Sequence, residues 1–347
     1  EQKVSDAPRH NSWPGRRWTA GVNEFWDWTA AEQLALRGWR RGALPEGGIP
    51  ERSGTGRTNF LEQAALPREK NWTRLLAARA VRNQGSCGSC WAIASTTMLQ
   101  AHTEIHTREA RTFSPQQLVS CVPNPQHCGG GGGCTGATVE LAMDWVMRHG
   151  CAEEYQVPYV SSDTRCPAPV QQGGSAVLAD SGDKGIAAAF GMHGWERLPE
   201  NEYLPLMHAV VERGPVAVSV AARTWTIYAG GIFDGCAKDA ILDHAVVLMG
   251  YGEESTPAFG LVHYWLIRNS WSATWGEQGY MRLRRYPSNE PCGVDDEPLW
   301  GYGCKANPAD NVTACGECGI LSDSAYPVGA FLGSSAPPED PALLLTP

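Results

Sequence analysis

The hydrophobic pattern changes along the chain from helical to strand-like. Ser89–His106 contains no Gly or Pro, and Thr138–His149 (TVELAMDWVMRH) ends before Gly150, so both segments predict helices. From Gly214 onward, short apolar runs alternate with Gly-rich turns: GPVAVSVAA, AVVLMGYG, HYWLIRNS and GYMRLRRY. Helices followed by strands predict an α+β protein with a helical part and a sheet part. The cleft between the two parts is the expected active site.

The two ends of the chain differ in composition from the middle. Residues 1–65 are rich in Trp, Arg and Gly, and residues 43–58 predict a flexible connector. Residues 66–328 predict the globular domain, with a helical lobe at about 76–175 and a sheet lobe at about 176–328. Residues 329–347 predict a flexible tail. The chain begins at Glu1, so either a signal peptide has been removed or the sequence is a fragment.

The composition excludes several classes of protein. Hydrophobic residues make up 42% and charged residues 19%, which is typical of soluble globular proteins. No apolar run approaches the length of about 18 residues that predicts a membrane span. The net charge of −9 and the lack of a basic cluster disfavour nucleic acid as a partner. Twelve cysteines predict disulfides and an oxidising compartment, and glycosylation sequons begin at Asn71 and Asn311.

The strongest local signal is the run QGSCGSCWA at residues 84–92. Cys90 stands where a Gly-rich turn enters a predicted helix, and a helix N-terminus lowers the pKa of a thiol and favours the nucleophilic thiolate. Gln84 is placed to donate a hydrogen bond to an oxyanion beside the Cys90 N–H. A redox CxxC or half a zinc site, paired with Cys315 and Cys318, is the alternative. The cysteines and histidines lack compact ligand spacing, so no metal and no cofactor is predicted.

A cysteine nucleophile needs a base and a group that orients the base. His244 begins an apolar strand, and Asn269 follows the next strand. An asparagine can accept a hydrogen bond from histidine without competing for its proton, and Trp271 is placed to shield that bond from water. Alone, a His or an Asn in a strand is usually structural. In combination, Cys90, His244, Asn269 and Gln84 form the candidate catalytic set.

These motifs resemble those of the papain-like cysteine proteases, peptidase family C1, and in particular the cathepsin L-like members. CGSCW is that family's nucleophile signature. NSWSATWGEQGY at 269–280 resembles the family run NSWGxxWGExGY, with Ser272 in place of a glycine. GGIF at 230–233, GCTG at 133–136 and the end run at 318–328 also resemble family motifs, with Thr135 and Ala137 as departures. His244 and Asn269 lie farther from the nucleophile than the usual roughly 130–150 residues, which requires loop insertions.

The resemblance covers about residues 66–328 and implies a two-lobed fold, with a helical left domain, a β-barrel-like right domain and the active-site cleft between them. It implies a cysteine endopeptidase in which the Cys90 thiolate attacks the scissile carbonyl. His244 then protonates the leaving amine and activates the deacylating water. Asn269 orients His244, and Gln84 with the Cys90 N–H holds the oxyanion. The alternative, a catalytically silent papain-fold binding protein, is disfavoured because all four catalytic positions are present.

The same resemblance implies partners and a compartment. We expect protein or peptide substrates, the protein's own propeptide and cystatin-type inhibitors as partners, and a monomer. The paired histidines that give cathepsin B dipeptidase activity are not visible, since His193 stands alone, so endopeptidase activity is expected. The cysteines and sequons predict the secretory pathway, leading to a lysosome- or vacuole-like compartment or to the outside of the cell.

The segment before the globular domain resembles an inhibitory propeptide. Its GxNxFxD motif is formed by Gly21, Asn23, Phe25 and Asp27. The family propeptide runs backwards through the cleft and blocks it, so the chain is expected to begin inside one. Leu66-Pro67 resembles the start of a mature enzyme, which predicts cleavage between Thr58 and Leu66. We expect acid to promote processing if Asp27 is paired with a cation, because its stabilisation would be lost as the pH falls through its depressed pKa.

Disulfide pairing follows from the resemblance only in part. It implies the pairs Cys87–Cys134, Cys121–Cys166 and Cys236–Cys318. Cys128 and Cys151 fall outside the family set and are predicted to pair with each other. This leaves Cys292, Cys304 and Cys315 in an insertion at residues 286–317, and one of these thiols is then free or intermolecular.

The resemblance also places the substrate-binding residues. They are Gly136, Ala137, Thr138, Val139, Ser219, Leu242, Asp243, Ala245, Trp271 and Asp323. Asp323 is expected at the bottom of the S2 subsite, which binds the second residue before the scissile bond. A carboxylate there pairs well with guanidinium, so S2 is predicted to accept Arg as well as hydrophobic side chains. The alternative is that Asp323 points to solvent.

Overall fold

A computed structural model describes residues 2–37, 65–167, 190–287, 289–306 and 311–332. The predicted connector, most of the predicted cleavage stretch, the boundary between the lobes and residues 333–347 lie outside the described residues. The domain boundaries themselves stay a prediction. At the C-terminus, however, the last strand continues to Leu332, four residues into the predicted tail.

The helices precede most of the strands, as the pattern predicts. The α-helices are α1 (Gln2–Asn11), α2 (Ala30–Ala35), α3 (Cys90–Thr107), α4 (Pro115–Cys121), α5 (Val139–His149) and α6 (Tyr203–Glu212). The strands are β1 (Trp18–Ala20), β2 (Lys70–Asn71), β3 (Phe190–Arg197), β4 (Val216–Val220), β5 (Tyr228–Phe233), β6 (His244–Thr256), β7 (Gly260–Arg268), β8 (Tyr280–Arg285), β9 (Cys292–Asp295), β10 (Val312–Cys315) and β11 (Ser324–Leu332). None of the helices in the described residues is both long and apolar enough to cross a bilayer.

The main sheet has nine strands in the order β1-β5-β8-β7-β6-β4-β11-β3, with β2 paired to β6. The pair β5–β8 is parallel, whereas β6–β7 and β7–β8 are antiparallel. The predicted α+β class is confirmed. The expectation of a barrel-like right domain is wrong for the described strands, because β1 and β3 end the sheet on opposite sides and leave it open. His193, predicted in a loop, is exposed on β3.

Helix α3 forms the centre of the fold. Its first fourteen residues, Cys90 to Thr103, are all buried, because the helix packs against β6 and β11 of the sheet. Polar residues on it find partners inside the core: His102 Nε2 lies 2.8 Å from the Pro215 carbonyl oxygen. Burial lowers the pKa of His102 to about 3. The helix therefore holds its first residue, Cys90, rigidly at the edge of the sheet.

Residues 2–37, which we call the N-terminal segment, pack on the sheet lobe. Strand β1 pairs antiparallel with β5, and Trp18 packs on Phe233 with ring centroids 4.8 Å apart. Arg17 forms an ion pair with Asp234 at 2.5 Å. Helix α2 begins with a capping box, in which Thr29 accepts from the Glu32 N–H and Glu32 accepts from the Thr29 N–H. These contacts direct the end of the segment into the cleft.

The disulfides follow the resemblance in three cases and depart from it in the rest. The structure joins Cys87 to Cys134, Cys121 to Cys166 and Cys236 to Cys318. The predicted Cys128–Cys151 pair is wrong. Cys128 is bonded to Cys304 of the insertion, Cys292 is bonded to Cys315, and Cys151 is a buried free thiol. The insertion folds back onto a loop 176 residues earlier in the chain, which cysteine spacing does not reveal.

Ser272, the residue that replaces a family glycine, has a φ of +73°. A side chain in this left-handed region costs about 1 kcal/mol. We expect Ser272→Gly to raise the melting temperature by about 1–2 °C, since the relief of strain exceeds the entropy that glycine adds to the unfolded chain. Ser272→Ala keeps the strained Cβ and is the matched control. A glycine variant no more stable than the alanine variant would contradict the strain.

Candidate active site

Cys90 lies at the first position of α3, where its side chain is 3% exposed. Burial raises the pKa of the thiol to about 12, although backbone N–H groups of Ala245 and Trp91 favour the thiolate. From the sequence, the helix N-terminus is expected to lower the pKa of the Cys90 thiol. This expectation concerns the helix end alone. It missed the burial of the site, whose cost to a charged group exceeds the stabilisation by the helix end. In this closed state the thiol is therefore protonated.

His244 and Asn269 meet as the sequence predicts, at the start of β6 and just after β7. His244 Nε2 donates to Asn269 Oδ1 at 2.7 Å, and both residues are buried. His244 Nδ1 has no hydrogen-bond partner among the described residues. The Trp271 ring lies against the imidazole, with centroids 4.9 Å apart, and shields the hydrogen bond. Burial lowers the pKa of His244 to about 4, and the nearby charge of Arg37 lowers it too.

Gln84 is fully buried next to the nucleophile. Its Oε1 accepts from Ser270 Oγ at 2.7 Å, which fixes the amide so that Nε2 points into the cleft. Nε2 donates to the Cys87 carbonyl at 3.0 Å and lies 3.5 Å from the carbonyl oxygen of Ala35. The amide is thus oriented as an oxyanion donor would need to be, with a carbonyl of the N-terminal segment in front of it.

The end of the N-terminal segment occupies this cleft. Trp271 Nε1 donates to the Leu36 carbonyl at 3.1 Å, and Leu36 is fully buried. Arg37 lies 3.5 Å from Asp243, the residue before His244, and both side chains are at most 7% exposed. Burial raises the pKa of Asp243 to about 6, while Arg37 acts in the opposite direction. Arg37 is a site residue that sequence reasoning missed.

The GxNxFxD motif explains how the segment is seated. Gly21 lies so close to Ala229 that a Cβ would come within 2.7 Å of it. Asn23 Nδ2 donates to the Thr226 carbonyl at 2.7 Å, and Phe25 is buried against Trp271. The expected ion pair of Asp27 is wrong: Asp27 is exposed and forms no salt bridge with any residue in the described ranges. Burial of the segment, and not the charge of Asp27, holds it here.

A small pocket joins the catalytic residues to the predicted subsites. It is lined by Arg37, Cys90, Gly129, Ala137, Thr138, Val139, Ser219, Leu242, Asp243, His244, Ala245, Gly301 and Tyr302. Seven of the predicted substrate-binding residues are among these, whereas Gly136, Trp271 and Asp323 are not. Gly129, Gly301 and Tyr302 were missed. One signal could have found these three residues. The insertion has an odd number of cysteines, so one of them was available to pair with a cysteine outside the insertion, as Cys304 does with Cys128.

Asp323 lies beneath this pocket and is 4% exposed, so the alternative in which it points to solvent is wrong. Its carboxylate accepts from Arg197 Nε at 3.0 Å and from Ser219 Oγ at 2.6 Å. Burial disfavours the Asp323 charge, but Arg197 outweighs burial and lowers the pKa. Burial and the Asp323 charge raise the pKa of Glu140 to about 8. The carboxylate of Asp323 is therefore already paired with a guanidinium of the protein.

Two further points concern metal binding, which the sequence does not predict, and the two glycosylation sequons. Among the described residues, Cys236, Glu317 and Cys318 lie close enough together for one ion, but the two sulfurs form a disulfide and are not thiolate ligands. Asn71 and Asn311 are both exposed, so the sequons are accessible, and their glycosylation stays a prediction.

Comparison with known proteins identifies the family of the chain. A family model described as "Papain family cysteine protease" matches residues 66–302. Cysteine protease 1 of Oryza sativa subsp. japonica is 32% identical over 89% of this chain and 53% of the relative. The KDEL-tailed cysteine endopeptidase CEP2 of Arabidopsis thaliana is 31% identical over 79% of this chain and 63% of the relative. The chain thus spans little more than half the length of some curated relatives.

The fold of this chain is similar to that of a solved structure. The recombinant stem bromelain precursor superposes with a TM-score of 0.67 and 27% identity, covering 94% of this chain and 88% of that one. The match extends across both the N-terminal segment and the globular domain. From the family model, the relatives and the precursor structure, the chain belongs to the papain family of cysteine proteases, in its zymogen form.

Proposed function

We propose that the mature protein is a cysteine endopeptidase that works through Cys90, His244 and Asn269. The observation that carries this proposal is the 2.7 Å bond from His244 Nε2 to Asn269 Oδ1. It assigns the Nε2 proton to Asn269 and leaves Nδ1 as the nitrogen that faces the pocket shared with Cys90. Asn269 thus holds the base in one tautomer, which is the role of the third member of a catalytic triad.

In the proposed reaction the Cys90 proton moves to His244 Nδ1 and the thiolate attacks the scissile carbonyl carbon. Gln84 Nε2 and the Cys90 N–H stabilise the oxyanion that forms. The tetrahedral intermediate collapses to a thioester as His244 gives its proton to the leaving amine. His244 then takes a proton from water, the hydroxide attacks the thioester, and the thiol is regenerated as the acid product leaves.

We also propose that the N-terminal segment inhibits the enzyme until it is cut. Support comes from its place in the cleft, where Ala35 and Leu36 face the oxyanion donor and Trp271. Substrates are then proteins or peptides that replace the segment. Cystatin-type inhibitors and a monomeric state stay predictions. Five disulfides favour the secretory pathway, and the final compartment, lysosome- or vacuole-like or extracellular, stays a prediction.

For the S2 subsite we propose a preference for apolar side chains. Its walls include Val139, Leu242 and Ala245, and the nearest carboxylate, Asp323, is paired with Arg197. An arginine of the substrate would compete with Arg197 for that charge. The prediction that S2 also accepts Arg is tested by comparing Phe-Arg with Arg-Arg reporter substrates.

The proposal is tested by incubating the full chain with reductant at acid pH and measuring hydrolysis of a Leu-Arg reporter. An epoxide inhibitor such as E-64, added in a titration, should abolish hydrolysis at one molecule per chain, with the adduct on Cys90 by mass spectrometry. Cys151 is the internal control, since a fully buried thiol should stay unlabelled. A processed chain that neither hydrolyses the reporter nor takes up the inhibitor would favour the silent binding protein instead.

A further inference from the structure

The insertion at residues 286–317 reaches the substrate-binding side of the cleft. Its residues 298–304, which we call the strap, follow β9 and lie beside Leu242, two residues before the catalytic histidine. The Tyr302 N–H donates to the Leu242 carbonyl at 3.1 Å. The Leu242 N–H donates to Asp295 Oδ2 at 3.1 Å. Both backbone groups of Leu242 are therefore bonded to the insertion.

The other end of the strap is fixed to the helical lobe. Cys304 is bonded to Cys128, and the Gly129 N–H donates to the Gly303 carbonyl at 3.1 Å. The strap thus runs from the sheet lobe to the helical lobe across the pocket. All of these contacts lie within residues 126–306, so the strap stays in place when the N-terminal segment is removed.

Close packing leaves the strap little freedom to move. A Cβ on Gly301 would come within 2.0 Å of the Leu242 carbonyl oxygen, so the strap lies directly on the backbone beside the pocket. A disulfide at one end and a backbone hydrogen bond at the other hold residues 302–304 between the two lobes. The backbone that carries the Tyr302 side chain therefore cannot move away without breaking one of the two attachments.

Tyr302 is the strap residue that shapes the pocket. Its ring is half-buried and shares the pocket with Val139, Ala245 and Cys90. Burial raises the pKa of its phenol, and the charge of Asp323 raises it further. With the N-terminal segment in place, the space left in the pocket is about 20 Å³, roughly that of one water molecule.

We propose that Tyr302 is a specificity-determining residue that forms the outer wall of the S2 subsite and limits it to aliphatic side chains such as Val and Leu. This inference rests on the proposed protease function. Departure of Arg37 opens the pocket on the cleft side, whereas Tyr302 stays and keeps the outer side closed. A large aromatic P2 side chain would compete for space with the Tyr302 ring, whose backbone is held by the Leu242 carbonyl and, two residues on, by the Cys128–Cys304 disulfide.

The test compares processed wild type and Tyr302→Ala on reporters that keep Arg at P1 and vary P2 among Val, Leu, Phe and Trp. In Tyr302→Ala the ratio of kcat/KM for Phe over Val should rise at least about tenfold, because a pocket gains or loses this much per side-chain group. Tyr302→Phe keeps the ring and should leave the ratio within about twofold. A second series that varies P1 should show no change of ratio, since a purely structural effect would not be confined to P2.

The possible results distinguish the role of Tyr302 from the protease function. An active Tyr302→Ala enzyme with an unchanged Phe over Val ratio overturns the role of Tyr302 and leaves the protease function intact. A processed wild type that hydrolyses no member of the series contradicts the protease function itself. If Tyr302→Ala does not fold, the double variant Cys128→Ser/Cys304→Ser releases one end of the strap. It should raise the same ratio about threefold, and an unchanged ratio again overturns the inference.

Discussion

Replacing Cys90 by serine is expected to lower kcat/KM for a Leu-Arg reporter at least about 10⁴-fold. Removal of a nucleophile from a catalytic set has this scale of effect, because the remaining groups act on it as a unit. The serine hydroxyl is far less acidic than a thiol, and an imidazole is a weak base for it. The measurement is initial-rate kinetics on processed enzyme, with the processed amount fixed by protein mass.

The chain supplies its own control for this substitution. Cys151 is the other free thiol among the described residues, and it is buried next to Phe190, away from the cleft. Cys151→Ala is expected to keep kcat/KM within about twofold of wild type. Because Cys90→Ser cannot cut itself, it is processed with a trace of wild-type enzyme that is then removed. Equal loss in both variants would mean that the assay reports folding and not the nucleophile.

The candidate catalytic residues could be picked out because each is marked by its local sequence. The glycines before Cys90 and the helix-forming run after it indicate the position of the nucleophile. The apolar strand that follows His244 indicates the position of the base. Their meeting in space needs only that the helix end and the strand ends share one cleft. Helix α3 shows the same locality, since its bounds differ from the prediction by one residue at each end.

The rest depends on contacts between residues far apart in the chain. Cys304 finds Cys128 only because the insertion folds back over the cleft, so spacing suggested the wrong partner, Cys151. Tyr302 enters the S2 region by the same route. Arg37 follows the recognisable prosegment motif by ten residues and has no sequence signal of its own. The place of Asp323 in S2 stays a prediction, and its pairing with Arg197 of β3, far away in the chain, decides its chemistry.

The closed state also reverses one electrostatic expectation. A thiol at a helix N-terminus has a lowered pKa when water can reach it, because the dipole then acts on a partly solvated charge. In the zymogen the N-terminal segment covers Cys90, and the cost of burying the thiolate exceeds that gain. The same burial disfavours imidazolium at His244. The proposed inhibition thus has two parts. The segment blocks the cleft, and burial keeps the Cys90 thiol and the His244 imidazole in their neutral forms.

Replacing Arg37 by alanine is expected to weaken this inhibition strongly at neutral pH. Arg37 is the cation that faces the buried Asp243 carboxylate at 3.5 Å. Its removal leaves the buried carboxylate with the Ala222 N–H at 2.9 Å and the charge of Arg223, and the loss of a buried ion-pair partner costs up to about 3 kcal/mol. We therefore expect the unprocessed Arg37→Ala chain to be labelled at Cys90 by an epoxide inhibitor at least about tenfold faster than wild type at pH 7.5. Only label on the full-length band is counted.

The difference in labelling rate between Arg37→Ala and wild type should become smaller in acid. The direction of this change follows from the pKa of Asp243. Burial raises that pKa to about 6 in the closed zymogen while Arg37 lowers it, so without Arg37 the carboxyl protonates at a still higher pH. The carboxylate penalty is therefore present where the carboxyl is ionised and is absent in acid. At pH 5 the ratio of labelling rates should therefore fall to within about threefold. Arg9→Ala, which removes an exposed guanidinium from the same segment, should match wild type at both values.

The contact between Arg37 and Asp243 does not explain activation of the zymogen by acid. Because protonation of Asp243 removes a penalty on the closed state, acid tightens the Arg37 region and does not release it. Any acceleration of processing at low pH must then come from other groups, and the expectation that acid promotes processing stays a prediction. A ratio of labelling rates that is larger at pH 5 than at pH 7.5 would contradict the assigned role of Asp243. An Arg37→Ala chain labelled no faster than wild type at either pH would show that Arg37 does not hold the segment in the cleft.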